Sequence, residues 1–360
     1  MALLRSISRY GVLYVARMNQ GNKDQVRLTL ERCALIDHSC GADHIPPRVT
    51  IETLPEDVLL DIFEFYRAAT VDYIISWPWP WNRLVHVCQR WRCLVFASPL
   101  RLDLCLRCIS KTPVRETLDV WPPLPIEIDL VQPHDDMDNV IALLEHCDRV
   151  RNISILNLTS SQLERLAPMM QGPFPALTLL QLLVLNTAQV LPDMFLGGSA
   201  PRLQTLILRG TPLLGLPRLL LSATDLSYIS LEEIPHIGYI SPEAMVTCLS
   251  ALTRLIRLII GFQSPASRPD QRGRRPPPLT RVILPALEEF RFQGVSEYLE
   301  DLMARIDAPQ LRILDISLFN QVIFDIQQLT YFIGHAGILE SSHSAKVVFT
   351  DNDVQILFYL

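Results

Sequence analysis

At 360 residues the chain is longer than one typical domain and can bury a sizeable core. Apolar residues make up 49% and charged residues only 19%, and the net charge of −6 is spread over both signs, which leaves no basic footprint for nucleic acid. No apolar run approaches the roughly 18 residues of a membrane span, so the apolar excess is expected in many short buried elements.

Residues 1–47 read as a variable N-terminal extension. Arg5, Arg9 and Arg17, with no acid before Asp24, faintly resemble an organellar transit peptide, but that signature is loose and the bland reading is preferred. Gly41 to Pro47 reads as a linker.

A helical module follows over residues 48–100. Val58, Leu59, Ile62, Phe63 and Tyr66 recur at steps of three and four, one face of a helix. Thr53 and Glu56, three apart with Pro55 in the first turn, form a start signal. Leu84, Val87, Cys88, Trp91, Leu94 and Val95 make a second helical stripe, closed by Pro99. Between them, the spacer from Ala68 to Pro80 carries Trp77-Pro78-Trp79-Pro80-Trp81, expected to pack back on the helices.

Leu54-Pro55-Glu56-Asp57-Val58-Leu59-Leu60-Asp61-Ile62-Phe63 and Leu84-Val85-His86-Val87-Cys88-Gln89-Arg90-Trp91-Arg92 together resemble the two halves of an F-box, in order and over about an eighth of the chain. The spacer is longer than that family's usual one. The resemblance implies docking on the Skp-type adaptor of cullin-RING (SCF-type) ubiquitin ligases. Leu54, Pro55, Val58, Leu59, Ile62, Leu84, Val87 and Trp91 are then the candidate adaptor-facing or module-core residues, two roles that the sequence does not separate.

Residues 101–360 change period. Leu102, Leu104, Leu106 and Cys108 alternate with polar residues, as do Ile126, Ile128 and Leu130, which predicts strands. Val140, Ile141, Leu143, Leu144 and Cys147 form a short helical stripe. A template L-x-x-L-x-L then recurs at Val150/Ile153/Ile155, Leu177/Leu180/Leu182, Leu203/Leu206/Leu208, Leu226/Ile229/Leu231, Leu255/Leu258/Ile260, Leu287/Phe290/Phe292 and Leu311/Leu314/Ile316, with a last copy near Ala345/Val348. The starts lie about 23 to 32 residues apart, close to the period of leucine-rich repeats. Pro175, Pro201, Pro285 and Pro309 each stand two residues before a first leucine, where proline ends a helix and launches a strand. Helix starts are expected at Ser161 with Glu164, at Ser241-Pro242, at Ser296 (serving Leu299, Leu302, Met303 and Ile306) and at Asp325 (serving Ile326, Leu329, Phe332 and Ile333).

The predicted fold is therefore α/β: a small N-terminal helical module, then a solenoid with parallel β-strands on one face and short helices on the other. The usual asparagine after each strand is replaced by Leu158, Leu185, Thr211, Ile234, Gln263, Val295 and Phe319, which resembles the degenerate repeats found behind an F-box. A loop inserted at 263–280 carries four arginines and five prolines within Ser264–Pro278 and nothing large and apolar, so it reads as a solvated surface loop. An import-like basic cluster or a polyproline ligand are its functional alternatives.

Catalytic constellations are missing from the pattern: there is no phosphate loop, no nucleophile elbow and no HExxH. Cys105 and Cys108 form a CxxC near Cys88 and Cys93, but the second pair is loosely spaced and two of the four lie on apolar stripes, so core packing is preferred over zinc. Eight cysteines without framework spacing point to a reducing compartment, cytoplasmic or nuclear. No cofactor, metal, nucleic acid or membrane is implied, and the chain is expected to be no enzyme. In repeats of this type the positions beside the middle leucines line the exposed face. Here they are Arg209, Tyr228, Glu232, Arg257, Glu289, Arg291 and Asp315, a mixed set suited to a protein target as much as to a plain solvated face. Two functional readings follow: a substrate receptor that binds adaptor and target, or a non-catalytic repeat scaffold whose N-terminal helices only cap the solenoid.

Overall fold

The computed structural model describes residues 51–69, 80–109, 114–131, 137–185, 190–212, 214–267, 280–319, 327–335, 344–349 and 353–359. The N-terminal extension 1–47, most of the Trp-Pro spacer, most of the arginine-proline loop and Asp325 lie outside them. The chain divides into two compact units, 1–104 and 105–360.

In the first unit a single turn, Ile51–Thr53, precedes helix α1 (Glu56–Ala69), then α2 (Pro80–Val85) and α3 (Gln89–Ala97). Helix α1 starts two residues later than the pattern predicts. The Pro55 carbonyl accepts the Leu59 N–H at 3.1 Å, so Pro55 flanks the helix and Glu56 is its first residue, not the third-position partner of a Thr53 cap. The second predicted helix is two helices. Cys88 takes an extended conformation (φ −158°, ψ 170°) and caps α3, its Sγ accepting the Trp91 N–H at 3.5 Å. Leu54, Leu59, Phe63, Trp81, Leu84, Val85, Trp91, Leu94 and Val95 are buried. Phe63 meets Trp91 with ring centroids 4.6 Å apart, and Trp81 packs edge-on against Phe96, so the one described tryptophan of the spacer does pack inward. Arg90 donates to the Leu54 carbonyl at 2.6 Å and Arg92 to that of Val85 at 3.0 Å, pinning the chain around α3. Leu102 and Leu104 are buried too, but they precede the strand predicted for them, which begins only at Leu106.

The second unit is built on strands β1 (Leu106–Cys108), β2 (Ile126–Leu130), β3 (Val150–Leu158), β4 (Leu179–Val184), β5 (Thr205–Arg209), β6 (Tyr228–Ile234), β7 (Arg257–Phe262), β9 (Glu289–Gly294) and β11 (Ile313–Phe319). They pair in that order, all parallel. A separate two-stranded ladder joins β8 (Val282–Ile283) to β10 (Ile306–Asp307). Between strands lie helices α4 (Val114–Val120), α5 (Met137–Leu144), α6 (Ser160–Leu166), α7 (Leu216–Ser222), α8 (Pro242–Leu249), α9 (Ser296–Met303) and α10 (Gln327–His335). Crossovers between parallel strands share one hand, so strands laid down in order place their helices on one face of the sheet.

The register explains the leucine period. Ile153, Leu180, Leu206, Ile229, Leu258, Phe290 and Leu314 sit opposite one another across successive strands. Ile155, Leu182, Leu208, Leu231, Ile260, Phe292 and Ile316 form a second row. With the leading Val150, Leu177, Leu203, Leu226, Leu255, Leu287 and Leu311, none of these residues exceeds 3% exposure. Each such side chain contributes about 1.5–3 kcal/mol by burial, and no unit could hide its own set alone.

Local signals were placed less well than the period. Helix α6 is capped by Thr159 with Gln162, not by Ser161 with Glu164. Ser241 caps α8 through the Ala244 N–H, as its Ser-Pro pair suggests. Helix α9 begins at Ser296 after Val295, without a side-chain cap, and Ile306 lies in β10 beyond its end. Cys147 likewise lies past the end of α5. The copy near Ala345/Val348 does not extend the parallel run. β12 (Ser344–Phe349) and β13 (Asp353–Tyr359) form a hairpin, and β13 pairs antiparallel with β11.

Among the described residues Tyr298 is the largest fully buried side chain, wedged among Phe262 (centroids 4.7 Å apart), Phe292 (5.8 Å) and Tyr239 (5.9 Å). Burial pushes its ionisation well above the ordinary tyrosine range, and its hydroxyl has no hydrogen-bond partner among the described residues. An unpaired buried hydroxyl costs about 1–3 kcal/mol. Tyr298→Phe is therefore expected to leave the melting temperature unchanged or raise it. A clear fall would mean that the hydroxyl is satisfied after all.

Candidate functional site

Two surfaces carry the candidate residues, one in each unit. In the helical unit the structure separates the roles that the sequence left joined. Leu54, Leu59, Leu84 and Trp91 are core: each is buried, and their loss would act through folding. Pro55 is exposed, Val58 and Ile62 are half-buried, and Val87 is 54% exposed. Pro55, Val58 and Ile62 stand at steps of three and four, so they share one stripe beside the buried Leu59 and Phe63. Val87 is exposed because the helix breaks after Val85 and the residue falls in the turn before the Cys88 cap. A continuous helix would have turned it inward.

In the second unit, the positions between the buried leucines face away from the helices, since successive strand side chains alternate. The register brings most of the predicted residues together. Tyr228, Arg257 and Glu289 are direct neighbours across β6, β7 and β9, and Arg291 lies opposite Asp315 of β11. Arg209 lies opposite Glu232.

Their contacts are specific. The Arg257 guanidinium sits 5.2 Å from the Tyr228 ring centroid and forms an ion pair with Glu289, Nε to carboxylate 2.5 Å. Arg291 gives its Nε to the other Glu289 oxygen at 2.6 Å. Glu289 was expected on the exposed face, yet its side chain is only 5% exposed, because the two arginines fold over it from β7 and from two residues along its own strand. It is a clamp between cations. Glu232 accepts from the buried Ser230 hydroxyl at 2.7 Å. Arg209 pairs with Glu233 at 2.6 Å rather than with Glu232, and the hydrogen bond and charge of Glu233 raise its guanidinium further above its ordinary value.

That pairing rests on a backbone feature with no hydrophobic signal. Asn157 (φ 54°), Gly210 (φ 68°) and Glu233 (φ 51°) each follow the last template residue of their strand by two positions, and all three are left-handed. In β3 and β6 the ladder slips there, a bulge that lifts the next side chain out of the strand plane. Glycine at one of three equivalent places was the available clue. Half-buried Leu179, Leu183, Ile207 and Ile259 occupy neighbouring outward positions on β4, β5 and β7, so the charged group borders an apolar strip.

Elsewhere, an open cleft of about 320 Å³ lies between α4 and α5, lined by Arg115, Leu118, Asp119, Asp138, Ile141, Ala142, Glu145 and His146. Asp138 there is engaged by Arg165 at 2.6 Å. Among the described residues no group of three or more His, Cys, Asp or Glu side chains could hold a metal ion. Cys88 caps a helix and Cys108 is buried on β1, which accounts for both without zinc. No described helix is long and apolar enough to cross a membrane. Compared with known proteins, the chain matches no family model and no curated protein.

Proposed function

We propose that this chain is the substrate-recognition subunit of a cullin-RING ubiquitin ligase of the SCF type. In this reading the helical unit docks on a Skp-type adaptor, and through it on a cullin, while the sheet face of the second unit holds a protein target. The chain itself does no chemistry. It raises the local concentration of target beside a ubiquitin-charged partner, so that transfer proceeds by proximity. The observation that carries the reading is the division within the F-box-like stretch. Its four core residues hold three helices together, while Pro55, Val58, Ile62 and Val87 leave apolar surface uncovered within the unit. A helix stripe that stays half-exposed beside a complete core is what an apolar partner groove takes up.

The test uses the exposed positions, because core variants would lose binding by unfolding. Pro55→Ala combined with Val87→Asp is expected to weaken co-purification of the full chain with a Skp-type adaptor at least tenfold, with the melting curve unchanged. Leu54→Ala should lower binding and melting temperature together. If the unmodified chain fails to co-purify with the adaptor, or the double variant binds as well as the parent, the ligase reading falls and the helices are better seen as a cap on a scaffold.

A further inference from the structure

We infer that the outer face of β6, β7 and β9 is a receptor for a single carboxylate presented beside a large aliphatic side chain on a protein segment. This rests on the reading of the sheet as a recognition arm and names what the arm takes. Arg257 and Arg291 each approach Glu289 most closely through Nε, and among the described residues their four terminal nitrogens have no hydrogen-bond partner. Both side chains are about half-exposed, at 48% and 50%. The acids nearby are differently placed: Glu289 is buried between the arginines, Glu232 is engaged by Ser230, and Glu233 by Arg209. The spare hydrogen-bonding capacity at this point of the face is thus of donor type.

The arginines are also held in place before anything binds. Tyr228 braces the Arg257 guanidinium on one side and Glu289 anchors it on another, so little side-chain freedom remains to be lost. Charge sets the valence of the ligand. Two guanidiniums against Glu289 and against Asp315, which lies directly opposite Arg291, leave the patch near neutral. A near-neutral patch takes at most one carboxylate, held by the free guanidinium edges, and disfavours a dianionic phosphate. The aliphatic requirement comes from Ile259, on the same strand as Arg257, and Ile207, two strands further on, both half-buried and facing outward with the arginines.

The experiment is a selection of phage-displayed random dodecapeptides on the intact chain, followed by titration of synthetic versions of the peptides recovered. The recovered peptides are expected to share an Asp or Glu next to Leu, Ile or Met. Binding is expected to fall at least tenfold for Arg257→Gln with Arg291→Gln, and equally when the peptide acid is changed to its amide. Arg209→Gln should change nothing, because that arginine is spent on Glu233. The melting curve of each variant shows that the loss is not unfolding, and Arg257→Lys keeps the charge while removing the fork, so it should give an intermediate loss. The inference is overturned if the selection yields no binder, if the binders lack an acid, if they bind the double glutamine variant as well as the parent, or if phosphoserine in place of the acid binds tighter. Failure of adaptor co-purification would sink the ligase reading and leave this result untouched, and the converse holds as well.

Discussion

Phe63→Ala is expected to unfold the helical unit. Phe63 is fully buried in α1, and its ring lies 4.6 Å from that of Trp91 in α3. Truncating a buried phenylalanine removes about 3–5 kcal/mol through lost transfer energy and an unfilled cavity. Whole domains are stable by only about 5–15 kcal/mol, and a unit built on three short helices has few other buried contacts to fall back on. The measurable outcome is rapid proteolysis within residues 51–104, with a red shift in the emission to which the buried Trp81 and Trp91 contribute. The sheet unit should keep its own melting transition. Val58→Ala, one position along the same helix from buried Leu59 but half-exposed, should cost about 1 kcal/mol or less and leave the unit folded. If Phe63→Ala melts like the parent, the core assignment is wrong, and so is the distinction between core and docking residues that the proposed function depends on.

How much of this was legible beforehand follows from which forces leave a trace in the sequence. The parallel strands were readable because one physical requirement repeats: each unit must present three apolar side chains to its neighbours, and in-register pairing puts them at fixed steps. Features set by a single residue's backbone were not readable. The break after Val85 depends on Cys88 taking an extended conformation and serving as a cap, a role for which cysteine gives no expectation. The terminal hairpin was mistaken for a further repeat. Its strands alternate much as a repeat strand does, and alternation alone does not tell a parallel repeat strand from one arm of an antiparallel hairpin. At the candidate site, alternation correctly put Arg257, Glu289 and Arg291 on the outer face. The clamp was hidden because it joins a cross-strand neighbour to a residue two along the same strand, and only the register supplies the first. Glu289-x-Arg291 on a predicted strand was the only local trace.

The same kind of non-local contact underlies the second large effect, at Glu300. Helix α10 has no described local cap; its first backbone donors are taken by the preceding unit. The Glu300 carboxylate, projecting from α9, accepts the N–H of Gln328 at 2.8 Å and that of Leu329 at 2.9 Å. An anion there meets the positive end of the helix dipole as well as two orphan donors. Alongside, the buried Arg305 is held by Asp301 at 3.3 Å and Glu243 at 3.0 Å, so α8, α9 and the start of α10 share one polar seam. Glu300→Ala leaves the Gln328 and Leu329 donors without this acceptor in a site that water enters poorly, and should cost about 2–4 kcal/mol. Glu300→Gln keeps one acceptor oxygen without the charge and should recover about half. Hydrogen exchange reads the effect where it arises: amides 328–335 should lose protection in the alanine variant, while those of β4 to β6 stay as they are. Unchanged protection at Gln328 and Leu329 would show that the helix is capped by something other than Glu300, and the seam would then owe its stability to Arg305 alone.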